Sequence, residues 1–274
     1  KISKTKNIKF INKFFNNELA EKLSKKKIFA DIIIAFNVLA HVPDINNFLS
    51  GFSKILKSNG IIVFEFPHVL NLIKYNQFDT IYHEHYSYIS IIFLKKKIIN
   101  LKLEIFKIEN LESHGGSLRV YIKKIKNKNI KIDGSVKTII EKENKYKINS
   151  ISTFKKFNEN IYKIKKDLIE LLYKLKKNGN MVVAYGAAAK GNTLLNFFNI
   201  KSDLIDYVVD KNIYKQNKYM PGSHIKIKSP KFILKDKPEY IFILPWNLKS
   251  EIIKDLEFVK KWNCKFITAI PKLR

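Results

Sequence analysis

The chain has 274 residues, 46% of them hydrophobic, and a formal net charge of +28. This length is sufficient for two domains with separate cores, and the hydrophobic content is that of a folded protein, not a disordered one. All but two of the 52 basic residues are lysines, the exceptions being Arg119 and Arg274. Proteins that read phosphates and base edges rely on the bidentate arginine fork. We therefore interpret the lysines as a solvated surface and expect no nucleic-acid partner.

Cysteine content and hydropathy restrict the setting. Cys264 is the single cysteine, so the chain can form neither an internal disulfide nor a cysteine zinc cage, and a cytoplasmic location is expected. No apolar run reaches the length of a membrane span, and the start is not a signal peptide, so no membrane association is expected. The first residue is Lys1 and the opening segment reads as the middle of a protein, so we expect a fragment.

Strands and helices alternate in the first part of the chain. A continuous apolar run over 31–36 predicts a buried parallel strand, and a second run over 61–66 predicts its neighbour. Between them, apolar spacing predicts a helix over 45–56 with a left-handed stop at 58–60. The alternation is typical of a doubly wound α/β sheet. Three further elements are expected, a helix over 90–100 and strands over 103–108 and 118–123.

The character of the sequence changes near residue 124, where a lysine-rich helical region begins. We therefore predict two domains, 1–123 and 124–274. Strands and helices alternate again in the second, which predicts a smaller Rossmann-like α/β domain. Its predicted elements are helices over 151–177 and 248–262 and strands over 181–185, 204–210, 240–244 and 265–270.

The densest group of chemically active side chains is Tyr82-His83-Glu84-His85. It lies in a loop after a predicted strand, and such loops build the binding crevice of an open α/β sheet. A neutral imidazole accepts a proton at physiological pH, and a neighbouring carboxylate can orient it. A general base and an ordinary hydrogen-bonded histidine both remain open for this loop. We expect no metal site, because zinc needs three or four ligands and no other residues have metal spacing.

A Gly-rich turn over Gly186–Thr193 follows a predicted buried strand and opens a helix. Backbone N–H groups in that position can hold a phosphate, and Asp210 at the end of the next strand can meet a ribose hydroxyl. A P-loop needs lysine where Asn192 stands, so an NTPase is not expected. The turn can equally serve to pack the helix against the strand.

A second glycine turn lies at the start of the strand expected over 118–123. Gly115 and Gly116 fit a tight turn there. The alternative is a ligand contact in which Arg119 or His114 lies near an oxyanion.

Together these residues resemble the sugar C-methyltransferases that act on nucleotide-linked 4-keto-deoxysugars. The resemblance covers essentially the whole chain and rests on the order of several stretches: Asn37–Asp44, Phe64–Pro67, Phe78–His85, Ser113–Tyr121, Tyr185–Thr193, Val209–Asn212 and Leu244–Asn247. It implies an α/β protein with a truncated class I methyltransferase (Rossmann-like) domain followed by a smaller Rossmann-like domain. It also implies S-adenosylmethionine as cofactor and a nucleotide-linked keto-sugar as substrate.

The resemblance implies roles for individual residues. His85 would be the base, with Glu84 and Tyr82 beside it. Asn37, Val38 and His41 would lie beside the cofactor. The substrate contacts would be His83, His114, Arg119, Gly186, Lys190, Asn192, Thr193 and Asp210. The base would remove a proton from the carbon next to the ketone, and the resulting enolate would take the methyl group.

The chain departs from the family pattern at its start. The first strand with its Gly-rich loop and the acidic end of the second strand are absent, as is the zinc-binding N-terminal module, so zinc is expected only in that module. We expect residues 1–123 alone to expose apolar edges, and the chain to bind S-adenosylmethionine poorly or not at all. A monomer or weak dimer is expected. The alternatives are a non-catalytic nucleotide-binding module left from a truncated methyltransferase and a nucleic-acid methyltransferase, which the scarcity of arginine disfavours.

Overall fold

The computed structural model describes residues 9–274. Nine α-helices are present in this part of the chain: α1 (Asn17–Lys25), α2 (Ile45–Ile55), α3 (Val69–Lys74), α4 (Ile91–Ile99), α5 (Gly134–Lys145), α6 (Ile151–Lys177), α7 (Ala189–Phe198), α8 (Lys231–Asp236) and α9 (Lys249–Asp255). The strands of the same residues are β1 (Ala30–Phe36), β2 (Leu56–Pro67), β3 (Leu103–Leu111), β4 (Ser117–Lys124), β5 (Val182–Tyr185), β6 (Tyr207–Val209), β7 (Ile227–Lys228), β8 (Tyr240–Ile243) and β9 (Lys265–Ile267). The predicted α/β class is confirmed.

Contacts divide the described chain into two units that interleave in sequence. The first contains the residues up to Pro67, Tyr86–Leu111 and Ser117–Glu143, and the second contains His68–His85, Glu112–Gly116 and Asn144–Arg274. Two short segments, 68–85 and 112–116, thus belong with the C-terminal part of the chain. The boundary expected after residue 123 stays a prediction, because no single position separates the two units.

The first unit is built on a four-stranded sheet in the order β1-β2-β4-β3. β1 and β2 are parallel, and β4 is antiparallel to both of its neighbours. Within the described residues β1 is an edge strand, and Ile32, Ile34 and Phe36 are 58%, 62% and 42% exposed. These three side chains lie on one face of the strand because side chains alternate between faces. The expected apolar edge is therefore present, and the burial predicted for 31–36 is wrong, because β1 has a neighbouring strand on one side only within the described residues.

A buried carboxylate fixes the start of α4 in the same unit. Glu143, on α5, is fully buried, and its two oxygens accept hydrogen bonds from the N–H groups of Ile91 at 2.7 Å and Ile92 at 2.9 Å. These amides belong to the first turn of α4, where backbone donors have no partner within the helix. The negative charge also opposes the positive end of the helix dipole.

The left-handed stop predicted at 58–60 is wrong. α2 ends at Ile55 and the chain passes directly into β2 at Leu56. Gly60 does not have a positive φ. A Cβ atom on Gly60 would lie 2.9 Å from the carbonyl oxygens of Ala30 and Asp31. Glycine is therefore needed for the close approach of β1, next to the point where the register between the strands shifts.

The second unit contains a five-stranded parallel sheet in the order β7-β6-β5-β8-β9. The chain adds β6 and β7 on one side of β5 and then returns to add β8 and β9 on the other. This order is Rossmann-like, as predicted. In such sheets the carboxyl ends of the strands at the reversal, here β5 and β8, form the crevice that receives ligands.

Two further expectations differ from the structure. The helix predicted over 248–262 is interrupted, since α9 ends at Asp255 and a 3₁₀ segment, Glu257–Trp262, follows it. β7 was not predicted, because a two-residue strand carries no readable period. The long helix α6 has the predicted bounds and buries a regular apolar stripe. No helix in the described part of the chain is both long and apolar enough to cross a bilayer.

Candidate functional site

Two glycines shape the crevice of the second unit. Gly186 follows β5 with a φ of 95°, and its N–H donates to the carbonyl oxygen of Val209 at 2.7 Å. A Cβ atom on Gly186 would lie 2.6 Å from Cδ of Pro245, and one on Gly191 would lie 2.8 Å from Cβ of Leu244. Both glycines therefore permit the end of β8 to lie against the start of α7. This contact supports the packing interpretation of the turn.

Asp210, just after β6, stabilises the Gly186 turn. Its Oδ2 accepts a hydrogen bond from the N–H of Ala187 at 2.8 Å, and its Oδ1 accepts one from the N–H of Asn212 at 2.8 Å. Lys215 donates to the carbonyl oxygen of Ala187 at 2.7 Å and lies 3.6 Å from Oδ2 of Asp210. Both carboxylate oxygens thus bind the chain's own backbone. The contact with a ribose hydroxyl stays a prediction.

Asn192 and Thr193 lie in the first turns of α7. The Thr193 hydroxyl donates to the carbonyl oxygen of Ala189 at 3.1 Å, within its own helix. The side-chain oxygen of Asn192 is buried and has no hydrogen-bond partner within the described residues. Because buried polar atoms are normally paired, this oxygen is suited to an O–H or N–H group of a ligand.

Lys190 is held beside the end of β8. Its Nζ lies 4.9 Å from the centroid of the Trp246 ring and 3.4 Å from Oδ1 of Asn247. Burial lowers the pKa of Lys190, and the negative charge of Asp79 opposes this shift. A lysine in this position, one residue inside the start of α7, is suited to an anionic ligand.

Asp79 is the acidic group of the same cluster and is fully buried. Its Oδ2 accepts a hydrogen bond from Nε1 of Trp246 at 2.8 Å. Its Oδ1 is buried and has no hydrogen-bond partner among residues 9–274. Burial raises the pKa of Asp79 to about 6, and the charge of Lys190 and the Trp246 hydrogen bond oppose that shift. Asp79, Trp246 and Lys190 thus form one connected group.

The turn over 113–115 packs against this group. Nε2 of Gln77 donates to the carbonyl oxygen of Gly115 at 2.7 Å. A Cβ atom on Gly115 would collide with the Trp246 ring. Gly115 and Gly116 have φ angles of 87° and 111°, which confirms the tight-turn interpretation. His114, between Ser113 and Gly115, is exposed, and its contact with an oxyanion stays a prediction.

His85 lies in the same unit, six residues after Asp79. Its Nδ1 is 2.7 Å from the carbonyl oxygen of Thr80. A carbonyl oxygen can only accept, so we assign the proton of the neutral ring to Nδ1, which leaves the lone pair on Nε2. The Tyr82 ring packs on the imidazole with centroids 4.4 Å apart at 32°. Both side chains are half-buried. These contacts hold the ring in one orientation, and its role as a general base stays a prediction.

The other two residues of this loop are exposed. His83 has its ring centroid 6.4 Å from that of Tyr82. Burial raises the pKa of Tyr82, and the charges of Glu84 and Asp79 raise it further. The Tyr82 hydroxyl therefore stays protonated at neutral pH and can donate a hydrogen bond.

The predicted cofactor residues lie in the first unit. Asn37 follows β1 with a φ of 54°, and its N–H donates to the carbonyl oxygen of Glu65 at 2.7 Å. Its side-chain oxygen is buried and unpaired within the described part of the chain. Val38 is 40% exposed, and His41 ends a 3₁₀ turn and is exposed. The loop therefore offers a polar acceptor at the carboxyl end of a parallel strand.

Arg119 lies on β4, opposite Glu65 on β2. Its terminal nitrogen is 2.9 Å from Oε2 of Glu65, and the guanidinium lies 5.1 Å from the centroid of Phe36. The structure thus shows Arg119 in a cross-strand ion pair of the first unit. Its contact with a substrate oxyanion stays a prediction.

Comparison with known proteins adds independent information. The family described as "C-methyltransferase C-terminal domain" matches residues 112–271, and the one described as "Methyltransferase domain" matches residues 2–97. The first match alone covers more than half of the chain. The chain belongs to the C-methyltransferase family. The resemblance drawn from the sequence motifs is confirmed at this level.

A relative of this C-methyltransferase family member is longer than the chain. The C-methyltransferase NovU of Streptomyces niveus is 30% identical over 261 residues, which are 95% of this chain and 62% of NovU. The chain thus spans less than two thirds of that relative. Among solved structures, the crystal structure of M1.HpyAVI matches 42% of this chain and 55% of its own with 10% identity and a TM-score of 0.28. A TM-score this low does not establish a shared fold.

Sequence reasoning missed two site residues of this C-methyltransferase family member. Asp79 and Trp246 lie in two of the stretches that carry the resemblance, Phe78–His85 and Leu244–Asn247, but neither was assigned a role. No local pattern indicates that two residues 167 positions apart share a hydrogen bond. Across residues 9–274, no group of three or more His, Cys, Asp or Glu side chains is arranged to hold a metal ion.

Proposed function

We propose that this protein is an S-adenosylmethionine-dependent C-methyltransferase that methylates a carbon next to the ketone of a nucleotide-linked deoxysugar. Family membership supports the reaction class. The observation that carries the proposal is the hydrogen bond between Nδ1 of His85 and the carbonyl oxygen of Thr80. It orients an imidazole whose Nε2 can accept a proton, which is the step that activates a carbon beside a ketone.

The proposed role of His85 is proton removal at that carbon. Nε2 takes the proton, and the electron pair of the C–H bond delocalises onto the ketone oxygen. The Thr80 carbonyl stabilises the imidazolium that forms, because it accepts from Nδ1–H in both protonation states. Tyr82 remains protonated and can donate to the developing oxyanion, and Glu84 supports the positive charge of the ring.

The proposed cofactor site is the loop after β1. Asn37 offers a buried acceptor without a partner among the described residues, which fits an O–H or N–H group of an adenosyl ligand. Val38 and His41 would line the same site. When bound, S-adenosylmethionine supplies an electrophilic methyl group.

The proposed site for the sugar nucleotide is the crevice of the second unit. Lys190 provides a positive charge for the diphosphate, and the unpaired oxygen of Asn192 accepts from a hydroxyl or N–H group. The remaining proposed substrate contacts of this unit are His83, His114, Gly186, Thr193 and Asp210. Arg119, which the sequence resemblance also implies, belongs to the first unit, and no place in this crevice is proposed for it. This assignment is supported by the position of the crevice at the strand reversal, where α/β sheets bind ligands.

Hydrogen exchange at the acidic carbon tests the base. The protein is incubated in deuterated water with a nucleotide-linked 4-keto-deoxysugar, and deuterium uptake is followed by NMR. We expect exchange by the wild type, its loss by about 10²-fold or more in His85→Asn, and its retention in His83→Asn. Binding of the sugar nucleotide without exchange or methyl transfer would contradict the proposal and favour a non-catalytic nucleotide-binding module.

A further inference from the structure

Asp79 and Lys190 carry opposite charges and both contact the side chain of Trp246. Asp79 accepts the indole N–H of Trp246 at 2.8 Å, and the ammonium of Lys190 lies 4.9 Å from the centroid of the same ring. All three residues belong to the second unit. The carboxylate is fully buried, whereas the lysine is half-buried beside the crevice. Of the two charged groups, only the lysine can therefore reach a ligand directly.

We propose that Asp79 is a positioning residue that keeps the Lys190 ammonium charged and fixed over Trp246, so that Lys190 can bind the diphosphate of the substrate. This inference rests on the proposed function, because the diphosphate is part of the proposed substrate. Asp79 itself is assigned no contact with the ligand.

The charge balance of the cluster supports this role. A buried carboxylate with one unpaired oxygen is unfavourable unless a positive charge compensates it. The charge of Lys190 lowers the pKa of Asp79, as do hydrogen bonds from Trp246 and the backbone, and the charge of Asp79 raises the pKa of Lys190. Asn247 adds only a long 3.4 Å contact to the ammonium. Without Asp79, burial would favour the neutral amine of Lys190.

The Trp246 ring restrains the position of the Lys190 ammonium. The hydrogen bond to Asp79 fixes the plane of Trp246, and the negative face of that ring attracts the ammonium. Gly115 leaves the space that the ring occupies. The four-carbon stem of a lysine is otherwise flexible, so a fixed ring face reduces the freedom that Lys190 would lose on binding an anion.

The reactivity of Lys190 tests the inference in the full 274-residue chain without any ligand. Acetic anhydride acylates only neutral amines, so the rate at Lys190, mapped by mass spectrometry between pH 7 and 10, gives the midpoint of its titration. We expect Asp79→Asn to lower that midpoint by about one pH unit, which raises the rate at pH 8 about tenfold. Asp255→Asn is the matched control, since it removes a carboxylate that pairs with the exposed Lys211.

The midpoint of the Lys190 titration distinguishes a specific effect of Asp79 on Lys190 from a general loosening of the fold. A looser fold would raise the rate at every pH without moving the midpoint in this direction. An unchanged Lys190 midpoint in Asp79→Asn would overturn the inference. If that variant does not fold, the reciprocal variant Lys190→Met provides the test, because it should raise the pKa of Asp79, read from its carboxyl ¹³C signal. No rise would also overturn the inference.

Ligand protection distinguishes this inference from the proposed function. Thymidine diphosphate, uridine diphosphate and inorganic pyrophosphate are added at millimolar concentration before acylation of the wild type. Protection of Lys190 together with the midpoint shift supports both proposals. A midpoint shift without protection would refute the diphosphate site and leave the effect of Asp79 on Lys190, whereas protection without a midpoint shift would refute the role of Asp79 alone.

Discussion

The imidazole Nδ1 of His85 lies 2.7 Å from the carbonyl oxygen of Thr80, five residues earlier in the same segment. The group that orients this imidazole is therefore a backbone atom, which no side-chain substitution removes. Thr80 is itself buried, and its hydroxyl donates to the carbonyl oxygen of Gln77 at 2.8 Å. The orientation of His85 is thus tied to the fold of a short local segment.

The tautomer of His85 can be measured without substrate or cofactor. We expect the neutral ring to carry its proton on Nδ1, because a carbonyl oxygen accepts from that atom. Long-range ¹H–¹⁵N NMR spectra at pH 8 distinguish the two ring nitrogens, and His85→Asn assigns the signal. The exposed His83 provides the comparison within the same loop. A His85 ring protonated on Nε2 would contradict the role proposed for it.

A glycine series separates backbone strain from steric contact. Gly186→Ala introduces a Cβ at a φ of 95° and within 2.6 Å of Pro245, so we expect a loss of about 2–5 kcal/mol in the free energy of unfolding. Gly179→Ala has a φ of 76° but no atom within 4 Å, so only the backbone cost of about 1–2 kcal/mol applies.

Gly134→Ala completes the series as a neutral control. This glycine begins α5, has no positive φ, and has no atom within 4 Å of a built Cβ. Alanine is the better helix former, so we expect no loss of stability. Urea denaturation of the three variants gives the comparison. Equal losses for Gly186→Ala and Gly179→Ala would show that Pro245 moves aside freely.

Glu143→Gln should weaken the start of α4. One acceptor oxygen becomes an NH₂ group, which cannot accept from the N–H of Ile91 or Ile92, and the charge is lost. We expect a destabilisation of about 1–3 kcal/mol, with faster amide exchange at these two residues. The control is Glu141→Gln, since Glu141 is exposed and makes an i,i+4 pair with Lys137 at 3.8 Å. This substitution should lower the free energy of unfolding by no more than about 0.5 kcal/mol. Similar effects of both substitutions would contradict the capping role.

Asp79 should make the stability of the chain depend on pH in an unusual direction. Burial raises its pKa from 3.8 to about 6, so the folded state binds this proton more tightly than the unfolded state. The resulting contribution is fully present below pH about 4 and is lost as the pH rises through about 6. The difference in unfolding free energy between wild type and Asp79→Asn should fall on the order of 3 kcal/mol over this range. Urea titrations at several pH values measure it, and a rising or constant difference would contradict the assignment.

Local patterns explain which elements were predictable. The apolar run over 61–66 forms the buried strand β2, and the spacing of α6 repeats over many turns. The run over 31–36 forms β1, an edge strand of the described sheet in which six of seven residues are half-buried or exposed, so a continuous apolar run does not by itself predict burial. The helix stop predicted at 58–60 was wrong because a glycine in sequence can indicate either a turn or a close contact between backbones. Turn formation needs its positive φ, whereas Gly60 supplies space for a neighbouring strand.

The candidate site was predictable only where its residues are close in sequence. The loop from Tyr82 to His85 and the turn at Gly186 are motifs of consecutive residues, and both lie in the second unit. The link between Asp79 and Trp246 depends on which segments share a unit, and that is decided by packing over the whole chain. Asp210 was predicted for a ligand because its position suits one, yet backbone amides already bind it.

Because the two units interleave in sequence, segments of this protein cannot be exchanged freely with those of a relative. A fragment that starts after residue 123 would contain the parallel sheet but not the segment with Phe78 and Asp79. Phe198 would then lose the stacked ring of Phe78, at a centroid distance of 4.9 Å, and Trp246 would lose its acceptor. The second unit therefore cannot be exchanged as one contiguous segment. A productive chimera must carry three separate pieces of sequence from the same parent.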